Sequence, residues 1–383
     1  MFDLNDQQKE TRAWARGFAE REVLPHAAEM DRAATYDRAI IEAMFEAGLM
    51  GLLVPEQYGG RELSVLEYAT AVEELARCDA STALVMSIHS SLVTALIAEF
   101  ASDEIKGAVL PDLASRKVGA FALTEEDPSV PTKADPTGDG FTANGTKMYI
   151  TNGPVADIVV LFAVTGVTET EREGKVRKRD EVSALLVDTD RADGLTRTQI
   201  EGKMGLTAAP VGRLVFRDVS IPASHLIGER GEGLRMAMSV LDAGRIGAAA
   251  MAVGIGQAAL EAARSYATTR VTGGRPIAKF QAVQLLVAES ATRLEAARAL
   301  TYQAASAADR GEPISELAAM AKLFASETAS FVASNALQVH GGSGLVKELH
   351  PVERYFRDAR VMEIIEGTSE IQKLVVAGHE LKG

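Results

Sequence analysis

Disulfides are excluded at the outset: the 383-residue chain has a single cysteine, Cys78. One thiol makes no internal pair, and such thrift points to a reducing compartment. Metal ligands are equally sparse. The six histidines (26, 89, 225, 340, 350 and 379) are scattered, with no H-x-x-x-H or other ligand spacing, so no metal site is expected. Positive charge is in deficit, with 40 Lys and Arg against 53 Asp and Glu, a net charge of −13 and a pI of about 5.1. That balance argues against nucleic acid and anionic membranes as partners. A clean apolar run is missing too. The most apolar stretch, "STALVMSIHSSLVTALIAEF", is interrupted by serines, His89 and Glu99 and reads as a buried helix, not a membrane span. The N-terminal "MFDLNDQQKE" has no signal-peptide h-region, so a cytoplasmic protein is expected. No internal repeat or low-complexity segment appears.

What is present is an ordinary globular balance, 47% hydrophobic and 24% charged, with room for two or three domains. Residues 2–28, 37–47, 64–76, 81–100 and 103–114 carry apolar side chains at helical spacing. The character changes near Lys117. "VGAFALTEE", "GFTANGTKMYITN", "DIVVLFAVTG", "EVSALLVDTD" and "GRLVFRDVSIP" are β-branched and partly alternating, and Asp139-Gly140 and Asn144-Gly145 are hairpin-turn signals. An antiparallel sheet domain over 117–226 is predicted, with the charged run "TETEREGKVRKRDE" as a solvated hairpin tip. From Gly231 the pattern is helical again. Long helices over 234–268, 278–310 and 314–339, rich in Ala, Leu, Met and Glu, predict a bundle. The predicted fold is multidomain α+β: an N-terminal helical domain (1–116), a middle antiparallel β-domain (117–226) and a C-terminal helical bundle (227–383).

Two glycine motifs need separate treatment. Gly254-x-Gly256-x-x-Ala259 spells a dinucleotide fingerprint, but it lies inside an Ala-rich helix with no preceding strand, so its glycines read as close helix–helix contacts. "QVHGGSG" ends a long helix, where Gly341 and Gly342 let backbone approach a ligand. A third feature is a carboxylate in odd company: Glu366 follows Ile364 and Ile365 and precedes Gly367. Locally this is a helix end, with Ser369 and Gln372 as a capping box for the next helix. Alternatively, burial beside the isoleucines raises the pKa of Glu366 and makes it a catalytic base.

The motifs "QVHGGSGLVKELHPVERYFRDARVMEIIEGTSEIQ", "LDAGRIGAAAMAVGIGQAALEAARSYATTR", "GRPIAKFQAVQ", "MAKLFASE", "ALTE" and "NGTKMYITNG" together resemble the acyl-CoA dehydrogenase flavoprotein family over nearly the whole chain. The resemblance implies non-covalent FAD and removal of an α-proton and a β-hydride from an acyl thioester, giving the trans-2-enoyl product. It implies Glu366 as base, Phe121, Leu123 and Thr124 lining the flavin, and Tyr149, Ile150 and Thr151 lying against its ring system. Thr368 and Glu370 are implied as cofactor contacts beside the base. Arg270, with Thr272 and Gln281, is implied at the pyrophosphate of a partner's FAD, and Gln338, Gly341 and Gly342 beside its adenosine half. Asp242, Arg245 and Gly367 are implied near the bound thioester. It further implies a homotetramer or homodimer, and electron-transfer flavoprotein as the acceptor.

The chain departs from the family pattern in three places. Ile365 stands where an aromatic residue is frequent, and Gly273 where Phe is usual. "LTEEDPSVPTKADPTGDGF" replaces "LTEPGAGSD" and the residues after it, about five residues short, which predicts an open thioester entrance and weak CoA affinity. "VMSIHSSL" resembles short-chain relatives, and Ala83 replaces the arginine of dicarboxylate-specific ones. The leading expectation is therefore dehydrogenation of a short or branched acyl-CoA in fatty acid metabolism. The alternatives are the same chemistry on an acyl-carrier-protein thioester, an oxidase, and a non-catalytic flavin-binding member.

Overall fold

The structure, a computed structural model, describes residues 3–172 and 175–381. Seven helices come first: α1 (Asp6–Phe18), α2 (Ala27–Ala33), α3 (Arg38–Glu46), α4 (Val65–Cys78), α5 (Ala80–Ser87), α6 (Ala95–Phe100) and α7 (Asp103–Ser115). Side-chain caps fix several starts. Asn5 and Ser64 make complete capping boxes with Gln8 and Glu67. The stretches predicted as continuous helices over 2–28 and 81–100 are each broken by π-helical turns, Ala19–Val23 and Ile88–Thr94. In 81–100 almost every side chain is buried, so there is no one-sided stripe whose phase shift would reveal the inserted residue.

Eight strands follow: β1 (Gly119–Ala122), β2 (Lys133–Thr137), β3 (Gly140–Thr151), β4 (Ile158–Arg172), β5 (Lys175–Asp188), β6 (Leu195–Gln199), β7 (Val211–Pro222) and β8 (Leu226–Ile227). The sheet runs β6-β7-β3-β2-β4-β5-β8 and is antiparallel, except that β1 lies parallel beside β4 and β2 meets β4 in parallel at Lys133 and Val164. The short, largely exposed β2 and β6 carry too little apolar signal to be read from sequence. The β2–β3 hairpin turns at Gly138-Asp139, one residue before the predicted Asp139-Gly140, with Gly140 already paired to Thr137. Asn144-Gly145 does not turn the chain. It sits at a register shift within β3, where the Asn144 amide and Asp218 exchange hydrogen bonds at 3.0 and 2.8 Å. The tip of the charged β4–β5 hairpin lies outside the described residues.

The last third is helical: α8 (Gly233–Thr269), a small hairpin of β9 (Val271–Thr272) and β10 (Arg275–Pro276), α9 (Gln281–Asp309), α10 (Ser315–His340), α11 (Val352–Met362) and α12 (Ser369–Glu380). α8 is the central beam, packed against α4, α9 and α10. A β-carbon on Gly254 would sit 2.3 Å from the Glu73 carbonyl oxygen, and one on Gly256 2.9 Å from Leu294 Cδ1. The false fingerprint is thus helix packing. Ala80–Phe100 and Gly233–Thr269 are apolar enough to cross a membrane by composition, and both are mostly buried against protein here. A buried acidic pair on α4 ties three helices together: Glu74 takes Arg12 and Arg16 of α1, and Glu73 takes Arg298 of α9.

Candidate functional site

Glu366 lies in the turn between α11 and α12, and its backbone is strained, with φ +55°. Only seven non-glycine residues among those described have positive φ, and three of them, Tyr149, Asn152 and Glu366, fall where a site is expected. Thr368, not Ser369, caps α12, accepting from the Ile371 N–H. Gly367 takes φ +89°. The Gln372 Nε2 donates to the carbonyls of Glu366 and Gly367, both at 3.0 Å, and the buried Lys322 Nζ donates to the Gly367 carbonyl at 2.7 Å. The turn is therefore held by its backbone, which leaves the carboxylate uncommitted.

That carboxylate points inward. The residue as a whole is half-buried, but Oε2 is shut off from solvent and has no hydrogen-bond partner. Burial pushes its pKa up to about 7, against the opposing pull of Lys322 and Arg245. Burial likewise pulls the Lys322 ammonium down to about 8. Space for Glu366 comes from α8: a β-carbon on Gly244 would lie 2.7 Å from Oε2 and 2.9 Å from Leu92 Cδ2. Arg245, buried on the same turn, pairs with Asp242 and keeps its Nε unpartnered. A lone buried carboxylate oxygen and a lone guanidinium N–H on neighbouring elements are groups that a ligand would satisfy.

The π-helical turn Ile88–Thr94 joins this region to the sheet. Its fully buried His89 donates from Nε2 to the Leu113 carbonyl (2.9 Å) and accepts the Gly119 N–H at Nδ1 (3.0 Å). Burial brings that imidazole down to about 4, so it is a neutral strut between helix and β1. Asn152, also buried, donates to the carbonyls of Val85 and Gly119 at 3.1 and 3.0 Å. These bonds fix the end of β3 against α5 and β1. Tyr149, Ile150 and Thr151 sit on that end: Ile150 is buried, Thr151 half-buried, and Tyr149 is 65% exposed. Leu123 is half-buried and Thr124 exposed after β1, while Phe121 turns inward, its ring 4.7 Å from that of Phe162. A strained backbone that holds a bare tyrosine outward beside Leu123 and Thr124 fits a flat ring system.

The other nominated residues lie elsewhere. Arg270 caps the far end of α8, 25 positions beyond Arg245, about 37 Å along the helix. Exposed Thr272 and Gln281 share its end of the bundle. So do exposed Gln338, Gly341 and Gly342, because the Ser343 hydroxyl donates to Tyr266 and Tyr266 stacks on His340 at 4.3 Å. Arg270 has no ion pair among the described residues, and nothing lies within 4 Å of a β-carbon on Gly341 or Gly342. This bare cationic and backbone surface suits a diphosphate and its nucleoside. Thr368 and exposed Glu370 stay beside Glu366. One chain thus gathers the nominated residues into two separate groups, not one. Sequence reasoning missed Asn152, His89 and Lys322. Lys322 stands in the quoted "MAKLFASE", and a lysine on an otherwise apolar helix face was the available signal.

Comparison with known proteins agrees on one family. The acyl-CoA dehydrogenase N-terminal, middle and C-terminal domain families match residues 5–117, 120–219 and 231–381. The chain belongs to the acyl-CoA dehydrogenase family. It is 43% identical over 386 aligned positions to the mitochondrial short-chain specific acyl-CoA dehydrogenase of Bos taurus, covering 99% of this chain and 91% of that one. The solved butyryl-CoA dehydrogenase of Megasphaera elsdenii superposes with a TM-score of 0.93 at 38% identity, all of each chain being covered. A structure described under the electron transferring flavoprotein of Acidaminococcus fermentans gives the same TM-score at 39% identity, again over all of each chain.

Where this acyl-CoA dehydrogenase departs from the family pattern, its short segment is pinned to the sheet. Glu125 pairs with buried Lys147 and takes the Thr132 N–H and hydroxyl, at 3.1 and 2.8 Å. Glu126 makes a two-pronged pair with Arg213 at 2.7 and 2.9 Å. The Glu126 carboxylate is thus answered by a guanidinium. Between this segment and Leu234 lies a cleft of about 320 Å³, with Arg179 and Asp180 on its wall. Gly273 takes φ +60° in the β9–β10 turn, a conformation that a phenylalanine would resist.

Proposed function

We propose that this chain is an FAD-dependent acyl-CoA dehydrogenase that converts a short-chain acyl-CoA to its trans-2-enoyl thioester, with Glu366 as the base. The observation that carries the reading is the unpartnered, inward-facing carboxylate of Glu366, raised toward neutrality by burial. A thioester α-proton is weakly acidic, so a desolvated base matched to the working pH removes it best. Bound FAD supplies the acceptor for the β-hydride that leaves with that proton.

The protein's own residues do the rest. Gly244 opens the space that Glu366 Oε2 enters, and Gln372 with Lys322 holds the Glu366–Gly367 carbonyls so the carboxylate keeps its aim. Arg245 and Asp242 flank the thioester. Leu123, Thr124, Tyr149, Ile150, Thr151, Thr368 and Glu370 would hold the flavin, with Phe121 packed behind them on Phe162. Arg270, Thr272, Gln281, Gln338, Gly341 and Gly342 hold the dinucleotide of a second copy. The separation of the two half-sites along α8 supports this sharing, and with it a homodimer or homotetramer of chains divided at 1–116, 117–226 and 227–383. Electron-transfer flavoprotein is the acceptor that the Acidaminococcus neighbour favours, and the setting is cytoplasmic. Anaerobic titration with butyryl-CoA is the test. The holoprotein's flavin absorbance should bleach, and unbleached flavin across a panel of acyl-CoAs would remove the reading.

A further inference from the structure

Gly244 and Gly247 stand three residues apart on one face of α8, and each makes way for something. At Gly244 it is the base. At Gly247 it is a pair of hydroxyls: a β-carbon there would lie 2.4 Å from Tyr68 Oη and 2.6 Å from Ser87 Oγ. Those two oxygens are 2.8 Å apart and buried, and Ser91 on the next turn donates to the Ser87 carbonyl at 2.8 Å. The two glycines differ by about 4.5 Å along the helix. Leu92 closes one side at Gly244, and the turn Ser87–Leu92 opposite is where α5 gives way to the π-helical segment.

We propose that the Tyr68–Ser87 hydroxyl pair is the floor of the acyl pocket and sets its depth. This rests on the dehydrogenase reading above. With the α-carbon at Glu366, an extended tail advances roughly 1.2 Å per bond along the glycine face. A butyryl tail runs two bonds past the α-carbon and stops short of the hydroxyls. A hexanoyl tail runs four and arrives at their level. It meets oxygen atoms that are already bonded to one another and held by the buried α4 and α5, so they do not step aside. Breaking that pair for a methyl group leaves buried polar atoms unsatisfied. In an ordinary apolar pocket each added methylene strengthens binding. Here the gain reverses once the tail reaches the hydroxyls, at about the sixth carbon.

The test is the ratio of kcat/KM for butyryl-CoA to that for hexanoyl-CoA, measured on FAD-loaded enzyme. Wild type should favour butyryl-CoA by about ten-fold or more, within the range one misplaced methylene commands. The double variant Tyr68→Phe/Ser87→Ala should cut that ratio by about five-fold or more. If it loses FAD or melts early, Ser87→Ala alone removes one oxygen and should move the ratio the same way. Binding gives a second readout, because both esters can be titrated into Glu366→Gln, with and without Ser87→Ala. An unmoved ratio, or a wild type equally content with octanoyl-CoA, overturns the floor while butyryl-CoA still bleaches the flavin. If no acyl-CoA bleaches wild type, the dehydrogenase reading falls and the floor falls with it.

Discussion

Glu366 has two costs written into it, a left-handed backbone and a carboxylate kept from water. Glu366→Gln keeps the shape and removes the proton acceptor. Flavin bleaching by butyryl-CoA should slow by ~10²–10⁴-fold while FAD stays bound, and an undiminished rate would place the base elsewhere. The same variant should be the more stable protein in mild alkali. In the folded chain the carboxyl keeps its proton up to about pH 7, whereas unfolded it loses it near 4.5. Across that window the unfolded state binds fewer protons, so wild-type stability falls as pH rises and stays lower above it. The deficit is up to ~3 kcal/mol, less what Lys322 loses with its charged neighbour. Melting curves of the two proteins should coincide at pH 4 and separate at pH 8. Lys322→Met is the companion experiment. Gln372 still holds the turn, but the ammonium that favours the charged carboxylate is gone, so the pH profile of bleaching should move to higher pH. A profile that stays put would make Lys322 a strut only.

At the scale of elements, the α4–α8 contact is tight enough to predict from geometry. Gly254→Ala pushes a β-carbon against the Glu73 carbonyl, and overpacking of this kind costs ~1–3 kcal/mol, read as a lowered Tm. An unchanged Tm would mean that α4 yields. The long helices and the apolar strands were legible because each shows one sustained period, 3.6 or 2. What sequence concealed has physical causes. The π-helical turn in 81–100 lies where nearly every side chain is buried, β2 is short and polar although it lies between β3 and β4, and β6 is a polar edge strand. Asn144-Gly145 uses its turn chemistry for a bulge. Of the site, Glu366 and its flanks were legible through motif resemblance. The roles of Tyr68, His89, Asn152 and Lys322 depend on contacts 19 to 67 positions apart in the chain, which no local pattern encodes.

For the whole molecule, the shortened 125–135 segment predicts a CoA arm that contributes little. Calorimetric titration of butyryl-CoA against butyryl-pantetheine should give similar affinities, and a large advantage for the full ester would show that other groups meet the nucleotide. Arg270→Ala should release FAD and dissociate the oligomer together, by roughly 1.5–3 kcal/mol for a hydrogen bond to a charged partner. Recovery of an intact, fully flavinated oligomer would show that Arg270 serves neither. The uninterrupted run of α8 also makes the two proposed half-sites phase-locked. Each residue added or removed between Arg245 and Arg270 swings one end about 100° around the axis relative to the other and shifts it about 1.5 Å. A single-codon deletion there would leave each group of residues intact in composition yet aim the two past each other, which the sharing proposed above would not survive. Seven residues, close to two full turns, is the smallest insertion that nearly restores the bearing, and it does so only by lengthening the beam by about 10 Å. Length along this helix is therefore barred from drifting, whatever happens to the identities of the residues that compose it.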